Sequence, residues 1–90
     1  MSKAVVTVLG EDKVGIVAAV AKALAENGVN IEYITQTNMR NNLAIVMLVT
    51  VDESRISIGD LQKELTAVGE RIGVHITVQH EDLFRFVHRI

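Results

Sequence analysis

The spacing of apolar residues changes repeatedly along this chain, and each change marks the boundary of an element. Lys3 to Leu9 is dense in β-branched and aliphatic side chains and stops at Gly10, which predicts a strand running into a loop over Gly10 to Val14. From Ile16 the period becomes helical. Ile16, Val20, Ala23 and Leu24 stand at i, i+4, i+7 and i+8 on one face, and Asn27-Gly28 ends the run. Val29 to Asn38 returns to an extended pattern. Asn41-Asn42 then supplies a tight-turn signal, because asparagine tolerates the left-handed backbone a hairpin needs, and Leu43 to Val51 follows as the second arm.

Ile58, Leu61, Leu65, Val68 and Ile72 recur at helical spacing, with Gly69 and Gly73 marking a frayed or sharply ended terminus. Val74, Ile76 and Val78 alternate with His75, Thr77 and Gln79, the pattern of a strand with one wet face. The order strand, helix, strand, strand, helix, strand predicts a ferredoxin-like α+β fold: an antiparallel four-stranded sheet in the order 4-1-3-2, with both helices on one face. The first and third strands, the most apolar, belong in its middle. The alternating fourth belongs at an edge.

Two features extend this picture. In Leu43 to Val49 both alternating sets are apolar, Leu43, Ile45, Met47 and Val49 on one side and Ala44, Val46 and Leu48 on the other. Only one side can meet the helices, so the other calls for cover, and a homo-oligomer, a dimer first, is the economical source of it. After the body, residues 1–79, the segment 80–90 places Leu83, Phe86, Val87 and Ile90 at i, i+3, i+4 and i+7. Glu81 and Asp82 come first and Arg85, His88 and Arg89 last, the charge order a helix dipole favours. A short C-terminal helix is expected there, packed on the body or on a neighbouring subunit.

Composition narrows the function. A chain of 90 residues makes one domain with a thin margin of stability, and 49% hydrophobic residues with only 3% aromatics dictate an aliphatic core. Cysteine is absent, which removes disulfides, thiol nucleophiles and thiolate metal sites and suits a reducing, cytoplasmic setting. The longest apolar run, Leu43 to Val49, falls far short of the about 20 residues needed to span a bilayer. The amino terminus lacks the form of a signal peptide. A net charge of −2, scattered along the chain, offers no field to attract nucleic acid.

The stretch Gly10-Glu11-Asp12-Lys13-Val14-Gly15-Ile16 leaves the first strand and opens the first helix. Amides near Gly15 and Ile16, at the positive end of the helix dipole, suit a carboxylate. Asp12 equally suits the commoner task of helix N-cap, and the glycines suit turn chemistry. In Asn27-Gly28-Val29-Asn30-Ile31, Asn30 offers a donor and an acceptor, either to a ligand or to a local turn.

These residues resemble the ACT domain: a strand, then Gly10-x-Asp12-x-x-Gly15-Ile16, a helix, and Gly28-Val29-Asn30-Ile31 leading into the second strand, all in a βαββαβ frame. The resemblance covers the chain through the fourth strand and points to small stand-alone bacterial or archaeal members, with a more distant likeness to glycine cleavage regulators. It implies a non-catalytic regulatory domain that pairs with copies of itself and holds an amino acid between domains. The ligand residues it implies are Gly10, Asp12, Gly15, Ile16, Asn30 and Ile31. Many relatives carry proline just before the loop's second glycine, where this chain has Val14, and no attached catalytic or DNA-binding domain is expected.

Competing chemistries lack their residues. His75, His80 and His88 share no ligand spacing, so no metal or other cofactor is expected. Among other uses of this fold, a phosphatase would want an arginine in the first loop, an RNA-binding module exposed aromatics on the central strands, and a metal carrier paired cysteines. The remaining alternative to a ligand sensor is a structural module that binds a protein partner without any ligand.

Overall fold

Strands β1 (Ser2–Glu11) and β3 (Asn42–Val51) pair antiparallel over their full lengths, from Ser2 opposite Val51 to Glu11 opposite Asn42, in the computed structural model, which describes residues 1–82. β2 (Asn30–Met39) lies outside β3, and β4 (Val74–His80) lies outside β1. The order β2-β3-β1-β4 is the expected 4-1-3-2 read from the other edge.

Helices α1 (Ile16–Glu26) and α2 (Ile58–Ile72) fill one face. Ala4, Val6 and Val8 of β1, Ile45, Met47 and Val49 of β3, and Ile76 and Val78 of β4 pack there against Val20, Leu24, Leu61 and Leu65. No polar side chain is buried among the described residues. Each of these valine, leucine, isoleucine and methionine side chains contributes about 1.5–3 kcal/mol by leaving water. On the opposite face, Ala44, Val46 and Leu48 are half-buried, while Leu9, Tyr33 and Met39 are 47%, 63% and 68% exposed. The surplus apolar surface expected from β3 is present, and no described helix covers it.

The ends of α2 follow from local chemistry. The Ser57 hydroxyl accepts the Asp60 N–H at 3.0 Å, an N-cap, and Gly73, at φ 80, ends the helix by donating its N–H to Gly69 O at 2.7 Å. Gly69 itself stays inside the helix.

Several boundaries differ from the expectation. Gly10 is not a loop residue: β1 continues through Gly10 and Glu11, and Gly10 pairs with both Leu43 and Val74. A Cβ there would lie 2.8 Å from Val74 Cγ1, so glycine answers a close approach of β4. The hairpin turn is Arg40-Asn41, and its left-handed residue is Arg40, at φ 58. Asn42 already pairs with Met39, which moves the turn one residue back from Asn41-Asn42. His80 ends β4, opposite Ala4, instead of opening a helix. Glu81 and Asp82 are helical, and the rest of the expected C-terminal helix lies outside the described residues.

Candidate functional site

The loop between β1 and α1 is held from two sides. Asp12 donates its backbone N–H to Asn41 O at 2.7 Å, and its carboxylate accepts the side-chain amide of Asn38 at 2.9 Å. Both contacts come from the β2–β3 hairpin. On the other side, Lys13 Nζ sits over Gly73, where a Cβ would be 2.9 Å away, so an ammonium stands at the carbonyl end of α2.

Gly15 is the N-cap of α1, with φ 89 and no side-chain cap. Asp12 therefore does not cap the helix; its carboxylate turns to Asn38. The first intrahelical bond is Ala19 N–H to Gly15 O at 2.9 Å, which leaves the amides at the start of α1 without acceptors in the helix. Among the described residues nothing lies within 4 Å of the place a Gly15 Cβ would take. Ile16 is buried in the core and has only its amide to offer. Asp12 and these amides thus belong to one loop, the carboxylate three residues before the helix cap.

Asn30 and Ile31 lie at the other end of the sheet. Asn30 is opposite Thr50, which is opposite Lys3, whereas Asn38, the partner of Asp12, sits in the row of Leu43 and Gly10. The span along β2 from Asn30 to Asn38 is roughly 25 Å at the usual rise of a strand. Asn30 is exposed and makes no hydrogen bond with another described side chain, while Ile31 packs half-buried on the core. Next to it, Glu32 occupies a bulge and is fixed by Thr50 Oγ1 at 2.6 Å and Lys3 Nζ at 3.7 Å. One chain thus holds two half-sites: Asp12, Gly15 and Ile16 at one end, with Gly10 in the strand below, and Asn30 and Ile31 at the other.

The family model for the ACT domain matches residues 2–79, the whole βαββαβ unit. The chain belongs to the ACT-domain family. It is 49% identical over 90 residues to a UPF0237 protein of Methanocaldococcus jannaschii, with 100% of both chains covered. Among solved structures it is similar to an ACT domain protein from Streptococcus pneumoniae, at TM-score 0.82 and 37% identity over 92% of this chain and 93% of that one. It is also similar to the regulatory subunit of aspartate kinase from Thermus thermophilus, at TM-score 0.68 and 25% identity, over 87% of this chain and 50% of that one.

Two features of this ACT domain were outside the reach of sequence reasoning. Asn38 and Asn41 anchor the loop, but they lie at the end of β2 and within the hairpin turn, far along the chain, and only the pairing of the strands carries them to Asp12. A shallow apolar pocket of about 270 Å³, lined by Leu9, Gly10, Thr37, Met39 and Ala44 among others, opens at the same end on the face opposite the helices. No cluster of three or more potential metal ligands exists among the described residues, and no described helix is long and apolar enough to cross a membrane.

Proposed function

We propose that this ACT domain is a non-catalytic, cytoplasmic sensor that binds a free amino acid between two copies of the chain. The observation that carries the reading is the pairing of free amides at Gly15 and Ile16 with the carboxylate of Asp12 at one pole. The amides and the helix dipole attract a ligand carboxylate, and Asp12 attracts its ammonium, so a zwitterion suits the pole better than either charge alone. Asn30, exposed and hydrogen-bonded to no other described side chain, is the natural third contact. Because it stands roughly 25 Å away in its own chain, that contact comes from a second copy. The likeness to the regulatory subunit of aspartate kinase supports a regulatory role over a catalytic one. The hydroxyls of Ser54 and Ser57 are already committed, to Asp52 and to the α2 cap, and supply no nucleophile.

A second reading, a structural module that docks a protein partner without a ligand, draws on the apolar face that displays Leu9, Tyr33 and Met39. Thermal-shift screening against the free amino acids separates the two. At about 100 times the dissociation constant a ligand adds roughly 2.7 kcal/mol to the folded state, a visible rise in melting temperature for a domain this small. A shift by one amino acid or a few related ones supports the sensor. No shift by any of them at millimolar concentration overturns it in favour of the docking module.

A further inference from the structure

The sheet face away from the helices is not open throughout. Val5 alternates with Ala4 and Val6, which pack under the helices, so its side chain stands on the opposite face, between Leu48 of β3 and Gln79 of β4. Yet Val5 is only 6% exposed, as enclosed as Val29 and Val68 in the helix-covered core. Leu9, further along the same row, is 47% exposed, and Thr7 between them is half-buried. Flanking strands do not account for the difference. Val46 also stands on a central strand, between Thr7 and Thr35, and it is half-buried. Lys3, the neighbour of Val5 on this face, sends its ammonium toward Glu32 of β2 at 3.7 Å and so leans away from β4. A valine flanked only by its sheet neighbours keeps its outward surface, so Val5 has something above it.

Burial on this face rises toward one corner, and the chain leaves the sheet at that corner. Gln79 lies beside Val5, His80 ends β4 opposite Ala4, and Glu81 and Asp82 are helical. Residues 83–90 follow, with Leu83, Phe86, Val87 and Ile90 at the spacing of one helical face. A helix over 81–90 is about 15 Å long. The way from β4 across β1 to β3 is about 10 Å, whereas Leu9 lies roughly 13 Å from Val5 along the strand. Such a helix reaches across Val5 to Leu48 and leaves Leu9 bare. Tyr33, one strand beyond Leu48, is 63% exposed and marks the limit of the cover.

We propose that residues 83–90 dock as a helix on the sheet of their own chain, with Leu83, Phe86, Val87 and Ile90 set against Val5 and Leu48. The docking divides the face in two. One half is closed by the chain's own C-terminal segment, and the other, with Leu9, Met39 and Ala44 around the shallow pocket, stays available. An external partner of this face is thereby confined to the Leu9 half. The docking rests neither on the amino-acid site nor on the pairing of copies.

The scarcity of aromatic rings makes the test direct. Apart from histidine the chain holds only Tyr33, Phe84 and Phe86, and Tyr33 is two strands from Val5, so a ring against the Val5 methyls belongs to the C-terminal segment. Methyl NMR of the full chain is expected to show nuclear Overhauser contacts from the Phe86 ring to Val5 and Leu48. The Val5 methyls are expected upfield, moving back downfield in Phe86→Leu and not in Phe84→Leu. In a mixture of labelled and unlabelled protein, the contacts are expected within one chain. As a second measurement, Val5→Asp is expected to speed tryptic cleavage after Arg85 at least about tenfold, because cleavage follows the population of the undocked segment. Cleavage after Arg71 in α2 stays unchanged in that variant, and Leu9→Asp alters neither site. Absence of contact between Phe86 and Val5 overturns the docking. Contacts found only between chains overturn it too, in favour of a neighbouring copy's segment on this corner. Cleavage after Arg85 at the wild-type rate in a folded Val5→Asp does the same, whatever the amino-acid screen shows.

Discussion

Asn38 donates its side-chain amide to the carboxylate of Asp12 at 2.9 Å, across 26 residues of sequence. The contact makes the first loop an appendage of the β2–β3 hairpin and gives Asp12 a role other than helix capping. Asp12→Ala is therefore expected to change the ligand-free stability by no more than about 0.5 kcal/mol, the range of ordinary surface substitutions, and not by the about 1 kcal/mol of a lost cap. Calorimetry of the ligand-free protein decides between these values.

The two half-sites predict complementation. Asp12→Ala and Asn30→Ala each abolish the amino-acid thermal shift on their own. When the two variants are mixed and allowed to exchange, every mixed dimer regains one site with both side chains intact and keeps one with neither. Calorimetric titration should then recover about a quarter of the wild-type site number in a statistical mixture, since half the dimers are mixed and each carries one of two sites. Zero recovery in a mixture shown to have exchanged would place both residues in the same chain's site.

Gly69 and Gly15 offer opposite tests of glycine. Gly69→Ala drives a Cβ to within 2.5 Å of a backbone oxygen, so α2 must lift from β4. A loss of about 1–3 kcal/mol is expected from overpacking. Gly15→Ala meets open space, and only its φ of 89 resists the side chain; a loss of about 1–2 kcal/mol is expected from left-handed strain. Chemical denaturation measures both. An amide cross-peak shift at Ile76 and Val78 should accompany Gly69→Ala alone.

The carboxyl of Asp52 is held below its ordinary range, first by the Ser54 hydroxyl and then by the Ser54 N–H, with Arg55 a smaller influence. A folded-state value below the unfolded one stabilises the protein at pH above the usual carboxylate range, and the contribution disappears as pH falls through the lowered value. Ser54→Ala removes the leading cause. A carboxyl-carbon NMR titration should show Asp52 moving upward in that variant; an unmoved midpoint would contradict the assignment.

What the sequence made legible was whatever rests on nearest neighbours along an element. The helical period of Ile16, Val20, Ala23 and Leu24 and the alternation of Val74, Ile76 and Val78 each reflect one face meeting one core, and both elements appear where the spacing put them. Gly10 was misread because a glycine that ends an apolar run looks like a turn. Its actual cause is Val74, brought beside it only when β4 docks on β1. The candidate site shows the same limit. Its residue types were visible in Asp12, Gly15 and Asn30, but the distance between its halves is a property of topology, set by β2 running back along the whole sheet before the chain turns at Arg40.

The exposure of Tyr33 on β2 has a spectroscopic consequence. The chain contains one tyrosine and no tryptophan, so its near-ultraviolet emission beyond the weak phenylalanine signal comes from a single ring. That ring stands exposed on β2, an outer strand of the sheet, so its anisotropy and its quenching by iodide report on that edge alone in the unmodified protein, without a label.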